Sequence, residues 1–383
     1  MYRRMSAFPG ALFAEVLVVL AAMLGAGNAA AQPRDEWLPL HTVRSGDIGL
    51  LLVADAQVAG RASRWLIDTG SSQNLVSPQL ADALGLVPGE SRSLATAAGV
   101  RQGAAVELPA VQAGGHGRER VAALRADLAA LAGPLAGGID GVLGAAFFAG
   151  TVLHIDLANL RWRVQIPVPG PQAGAPPPSE ALEMIRGVPV VPLTLAGKAG
   201  RYVLDTGSAG GVVQLAGARA PLRVMLAPQV QLGGQSRGQV PVARLGGTAL
   251  GRALPAGVSG LAGMALLDGC RFTLDFAAAR FMVHGCERAA LPGGFGLQLA
   301  EDARGLFVAS VLADSPAAMA GLRDGDRVLQ LAASELPASA PTSLPEAWAR
   351  MGSTASLRIG IARGATESVV VLERAYFLPL LTD

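Results

Sequence analysis

The chain has 383 residues, room for two to three domains, and a formal net charge of +2 with no basic block, which excludes nucleic acid as a partner. It is 51% hydrophobic, with a mean hydropathy of +0.40. Beyond the N-terminus, however, charges or Gly/Pro turns break every apolar run short of the roughly 18 residues a spanning helix needs, so a polytopic membrane protein is excluded.

The first element is a targeting segment. Arg3 and Arg4 precede a short apolar run from Val16 to Gly27, and Ala29-Ala30-Ala31 supplies the small residues that a signal peptidase reads. Residues 1–31 are therefore expected to be a secretory signal, and the mature protein to be periplasmic or secreted. Glu15, a charge beside the apolar run, leaves an uncleaved membrane anchor as the alternative.

After it come short apolar runs punctuated by 49 Gly and 25 Pro, a β-rich pattern with little helix. Trp65-Leu66-Ile67-Asp68-Thr69-Gly70-Ser71 recurs as Tyr202-Val203-Leu204-Asp205-Thr206-Gly207-Ser208, an offset of 137 (205 minus 68). Val142-Leu143-Gly144 has a counterpart in Leu261-Ala262-Gly263, and the run through Asp156 has one through Asp275, both offset by 119 (263 minus 144, 275 minus 156). Three landmarks in one order indicate an internal duplication whose second copy is 18 residues shorter (137 minus 119). A Pro-rich stretch, Pro167 to Ser179, separates the copies and reads as a linker.

Near the end of the second copy, Cys270 and Cys286 lie symmetrically about Ala278, between two strand-like runs. A hairpin turning there sets them opposite each other, within disulfide reach. An oxidising compartment would then bond them.

The chemistry lies in the two Asp-Thr-Gly-Ser segments. Each places a carboxylate where a buried strand turns; the Gly permits a tight backbone and close approach of a second copy, and the Thr can hydrogen-bond across. Two carboxylates meeting on a pseudo-two-fold axis cannot both ionise, so one keeps a proton and the pair serves as base and acid together. Leu66-Ile67-Asp68-Thr69-Gly70-Ser71, Val203-Leu204-Asp205-Thr206-Gly207-Ser208 and the apolar-Gly landmarks resemble the aspartic peptidases over about residues 45–285, most closely the bacterial retropepsin-like proteins that carry both halves on one chain. The resemblance implies a bilobal, mainly β fold with Asp68 and Asp205 as the catalytic pair. It also implies inter-lobe hydrogen bonds from Thr69 and Thr206, support from Gly70, Ser71, Gly207 and Ser208, and a site completed within one monomer. A flap is expected from the Gly-tipped segment Ser93 to Val106, with Ala97, Ala98 and Gly99 at its tip; the 18 residues missing from the second copy predict a single flap. The segment lacks the Tyr of the pepsin flap.

The four His residues (His41, His116, His154 and His284) show no metal-ligand spacing, and no nucleophile elbow or phosphate-binding Gly loop occurs. No metal or cofactor is expected. Asp156 and Asp275 read as turn-stabilising residues, and His154 and His284 as ordinary strand residues.

The last unit carries Gly294-Phe295-Gly296-Leu297, then Ser315-Pro316-Ala317-Ala318-Met319-Ala320-Gly321-Leu322 and Gly325-Asp326. Ser-Pro starts a short capped helix and Gly321 ends it. The combination resembles a bacterial PDZ domain, an α+β module. That resemblance implies a peptide C-terminus held by backbone N–H groups of the Gly294–Leu297 loop, with Phe295, Gly296 and Leu297 at the site. The organisation expected is thus 1–31 signal, 32–168 first lobe, 169–180 linker, 181–290 second lobe and 291–383 PDZ domain. The expected function is an exported aspartic endopeptidase acting on polypeptide substrates; the alternative is a peptidase-like scaffold that binds peptides without cutting them.

Overall fold

The computed structural model describes residues 36–45, 49–96, 99–128, 138–167, 179–216, 223–246, 251, 254–286, 293–333, 341, 343–352 and 354–381. Residues 1–35 with the expected targeting segment, Ala97, Ala98 and most of the Pro-rich stretch lie outside them. Among the described residues no helix is long and apolar enough to cross a membrane.

The first lobe contributes β1 (Leu38–Ser45), β2 (Gly49–Val58), β3 (Arg61–Asp68), β4 (Asn74–Val76), β5 (Ser91–Thr96), β6 (Gly99–Ala113), β7 (His116–Arg125), β8 (Gly141–Gly144), β9 (Val152–Asp156) and β10 (Arg161–Gln165). Among its described residues two short helices interrupt it, α1 (Pro78–Ala83) and α2 (Ala145–Phe148). Ser77 caps α1 by accepting a bond from Leu80 N at 3.1 Å, and Pro78 opens it where no N–H is needed.

The second lobe follows as β11 (Glu180–Ala181), β12 (Glu183–Ile185), β13 (Val188–Leu195), β14 (Lys198–Leu204), β15 (Val212–Ala216), β16 (Arg223–Leu232), β17 (Gln235–Gly246), β18 (Gly260–Ala262), β19 (Cys270–Asp275) and β20 (Arg280–Cys286). A 3₁₀ turn at Met264–Leu267 stands where the first lobe has α2.

The two lobes share one wiring. In the first, β3 runs parallel to β8, β4 parallel to β7 and antiparallel to β8, and β2 meets β6. In the second, β14 runs parallel to β18, β15 parallel to β17 and antiparallel to β18, and β13 meets β16. The duplication read in the sequence is thus a duplication of strand order. The hairpin β5–β6 has no counterpart among the described residues of the second lobe, which is where the 18 residues are missing.

The lobes are joined by a six-stranded ribbon in the order β11-β20-β19-β9-β10-β1, with β9 of one lobe antiparallel to β19 of the other. One apolar core spans both, including Trp65, Ile67, Trp162, Tyr202, Leu204, Phe272 and Phe281. Cys270 and Cys286 are direct cross-strand partners and form a disulfide. A bulge after Arg271 shifts the register, so the hairpin is symmetric about Ala278 only at its open end. Asp156 and Asp275 close the two ribbon turns: Asp156 accepts bonds from Asn159 and Arg161, and Asp275 from the N–H groups of Ala277 and Ala278.

The C-terminal unit is a five-stranded sheet, β21 (Leu297–Asp302), β22 (Gly305–Val311), β23 (Arg327–Ala333), β24 (Ser356–Arg363) and β25 (Thr366–Glu373), in sequential order. Two helices, α3 (Pro316–Met319) and α4 (Leu344–Gly352), cover its own core of Val308, Leu331, Trp348, Met351, Leu357 and Ile359. Ser315 caps α3 by accepting from Ala318 N at 3.1 Å, and Gly321 follows it at φ +78°.

Candidate active site

Asp68 ends β3 and Asp205 follows the end of β14, each where its strand leaves the buried sheet. The following Thr-Gly pairs bring the two turns together. Thr69 N donates to Thr206 Oγ1 at 2.9 Å, and Thr206 N donates to Thr69 Oγ1 at 3.2 Å. The hydroxyls then donate onward across the axis, Thr69 to Leu204 O at 2.6 Å and Thr206 to Ile67 O at 2.8 Å. Both threonines are fully buried, so these four bonds satisfy groups that water cannot reach.

Gly70 and Gly207 allow the close approach. A Cβ on Gly70 would collide with the Asp205 carboxyl group, and one on Gly207 with that of Asp68. Each carboxylate is therefore seated against the backbone of the opposite turn. Ser71 N donates to Asp68 Oδ1 at 3.0 Å, and Gly207 N to Asp205 Oδ1 at 2.9 Å. The serines hold the turns to the next landmark: Ala145 N donates to Ser71 O and Met264 N to Ser208 O, both at 2.8 Å.

The electrostatics follow from burial. Desolvation raises Asp68 from its ordinary carboxylate value, opposed by the N–H bond from Ser71, its bond with Asp205 and the N–H bond from Gly70. Desolvation and then the charge of Asp68 push Asp205 well above that value. Two buried carboxyl groups so raised resist ionising together, and a pair of this kind can share one proton.

Residues that the sequence did not single out complete the frame. Asn74, buried on β4, accepts from Gly144 N at 3.0 Å and donates to Ala122 O at 3.1 Å. Its one visible signal is a polar residue opening the apolar run Asn74-Leu75-Val76. Leu50 N donates to Ala209 O at 3.0 Å. Gly187, the equivalent of Leu50 (50 plus 137), lies against Ser72, the equivalent of Ala209. These contacts join sequence-distant loops across the axis, so no local pattern announces them.

The expected flap forms a hairpin, with β5 paired to β6 from Ser91↔Ala104 to Thr96↔Gly99. Gly99 opens β6, and the two tip residues, Ala97 and Ala98, are not among the described residues. Among the described residues no group of three or more His, Cys, Asp or Glu side chains is placed to hold a metal.

In the C-terminal unit Phe295 and Leu297 are buried members of the core, and Gly296 adopts φ +75°. Ser315 Oγ bonds Gly296 O, and Leu312 N donates to the same carbonyl. The Gly294 N–H donates to Ala375 O at 3.0 Å. The loop is thus built into the unit, with β21 at the free edge of the sheet and α4 alongside it.

Residues 54–147 match the family described as Aspartyl protease, a span that contains Asp68, the flap hairpin and the Val142-Leu143-Gly144 landmark. Residues 286–337 match the family described as PDZ domain. No curated protein matches the chain. Asp205 lies outside the matched spans, and its kinship to Asp68 rests on the repeated strand order and the reciprocal threonine bonds. The chain therefore carries an aspartyl protease domain, extended by a second lobe of the same wiring, and a PDZ domain.

Proposed function

We propose that the chain is an active aspartic endopeptidase, exported from the cytoplasm, with Asp68 and Asp205 as its catalytic pair. The observation that carries this reading is the reciprocal seating of the two carboxyl groups against Gly207 and Gly70; burial, which raises both, favours one proton shared between them. The ionised carboxylate accepts a proton from water as the water oxygen bonds to the peptide carbonyl carbon. The protonated partner gives its proton to the carbonyl oxygen, and a gem-diol forms. Transfer of a proton to the amide nitrogen then breaks the C–N bond, leaving a carboxylic acid and an amine with no acyl-enzyme. The PDZ unit supplies a strand edge and an apolar-cored loop suited to a peptide C-terminus. The cross-strand disulfide supports export to an oxidising compartment.

The test is hydrolysis of a mixed peptide library by the mature protein from acidic to neutral pH, beside Asp68→Asn and Asp205→Asn. Cleavage by the parent and at least about 10³-fold loss in both variants is expected. Full activity in either variant would sink the mechanism. Binding without cleavage at any pH would favour the scaffold reading instead.

A further inference from the structure

Beyond β25 the chain leaves the PDZ sheet and runs on to Leu381. Its first residue, Arg374, ties together several parts of the PDZ unit. It donates to Thr354 O at 3.0 Å, to Gly293 O at 3.0 Å and to Met351 O at 2.6 Å, near the end of α4. Its guanidinium also lies 4.7 Å above the Phe295 ring. Ala375 then exchanges two backbone bonds with Gly294, at 3.0 and 3.1 Å, and the Phe377 ring sits against Gly296.

Two residues later the same segment reaches the second lobe. Leu226 N donates to Pro379 O at 2.8 Å, and Leu381 N donates to Leu226 O at 2.9 Å, so the segment forms one parallel bridge, Leu226 to Leu380, on the outer edge of β16. That edge is open at Leu226 because β13 covers β16 only at Val230 and Gln231. Leu381 packs onto the core shared by the lobes. On its other side Leu226 faces Pro241 of β17, whose carbonyl abuts Gly211, directly before β15 and six residues after Asp205 (211 minus 205).

A second, separate contact lies at α4. The stem of Arg44 on β1 sits under Gly352, where an added Cβ would come 2.8 Å from Arg44 Cγ. The Arg44 guanidinium bonds Asp268 of the second lobe at 3.0 Å. One contact leaves a module free to swivel; two separated contacts set its orientation.

We propose that Arg374–Leu381 is a strap that fixes the PDZ unit on the second lobe, so that a polypeptide held there by its C-terminus is presented to the dyad at one set spacing. This deepens the peptidase reading and rests on it for substrate presentation, whereas the strap itself rests on the contacts alone. The substrates it favours are polypeptides with a free, apolar C-terminal residue, cut at a preferred number of residues upstream.

Two variants test it, a chain ending at Phe377 and full-length Leu381→Asp. Both leave the PDZ sheet and the dyad untouched. By hydrogen exchange, the Leu226 amide should exchange about tenfold faster in both, while Leu306–Val311 of the PDZ core stays protected. Unchanged exchange at Leu226 overturns the strap. A series of peptides with free C-terminal Val, the cut site moved one residue at a time, should show a single preferred spacing in the full chain that both variants lose. Cleavage of the C-terminally amidated series should be equal in all three. A full chain that cuts the amidated series but shows no spacing preference overturns set presentation. Failure to cut any peptide would instead defeat the peptidase reading, and presentation with it, while the exchange result still decides the strap.

Discussion

Asn74 and Gly211 occupy equivalent positions in the two lobes (74 plus 137) and meet the same need by different chemistry. In the second lobe the Gly211 carbonyl accepts the Gly263 N–H directly at 2.7 Å. In the first lobe the Asn74 side chain reaches the equivalent Gly144 N–H, at 3.0 Å. Gly211 has no room for a side chain, since a Cβ there would meet Pro241 O at 2.5 Å. Asn74→Ala should therefore leave the buried Gly144 N–H without a partner, at a cost of about 1–3 kcal/mol. Thermal unfolding of the mature protein measures this; a variant as stable as the parent would show that the bond is dispensable.

The dyad carries a stability cost that an amide would remove. Burial and the neighbouring charge raise Asp205, so the folded state binds its proton more tightly than the unfolded chain does. The stability held in that proton is fully present below the ordinary carboxylate pKa and is lost as pH rises through the raised folded value. Asp205→Asn mimics the protonated form at every pH. It should abolish hydrolysis yet unfold at a higher temperature than the parent, with a gap that widens from pH 4 to pH 8. A variant less stable than the parent at pH 8 would contradict the assignment of a buried, shared proton.

The four bonds made by Thr69 and Thr206 behave as one unit, because each hydroxyl both receives an N–H and donates across the axis. Thr69→Val or Thr206→Val keeps the shape, removes one hydroxyl, and strands the opposite N–H and a strand carbonyl. Each single change should cost about 1–3 kcal/mol, and the double variant less than the sum of both. A double-mutant cycle by denaturant unfolding gives the coupling; strict additivity would mean the two sides act independently.

The sequence carried the features that rest on local identity. The paired Asp-Thr-Gly-Ser segments, the 119-residue offset and the Ser-Pro start of α3 each map onto an observed element because turn chemistry and strand burial are local demands. The cysteine spacing worked for the same reason, although it missed the bulge after Arg271, which moves the symmetry point without separating the sulfurs. What stayed hidden depends on contacts between distant segments. Nothing around Leu50 or Gly187 marks them as the residues that touch the opposite Asp-Thr-Gly turn. Arg374 reads as a stray charge after a strand, yet three backbone carbonyls converge on it. The β9–β19 pairing that joins the lobes was equally invisible, since an amphipathic hairpin does not name its neighbour.

The PDZ unit has its own pH-sensitive lock. Arg363 makes a two-pronged contact with Asp326, Nε to Oδ1 and Nη2 to Oδ2, both at 2.7 Å, and also donates to Gly321 O at 2.8 Å. Arg323 N adds a bond to the same carboxylate at 2.9 Å. The bonds from Arg363, outweighing the desolvation of a buried carboxylate, hold Asp326 below its ordinary pKa. A lowered folded value means that the stabilisation is present at neutral pH and is lost as pH falls through it. Arg363→Ala should lower the unfolding temperature of the PDZ unit at pH 7, and the difference from the parent should shrink steadily toward pH 2. Asp326→Asn keeps the shape but removes the charge, so its stability should vary less with pH than the parent's over that range. Hydrogen exchange within β23 and β24 follows both variants without relying on a single global transition. A loss that does not change between pH 7 and pH 2 would show that Arg363 acts by packing rather than through the carboxylate of Asp326.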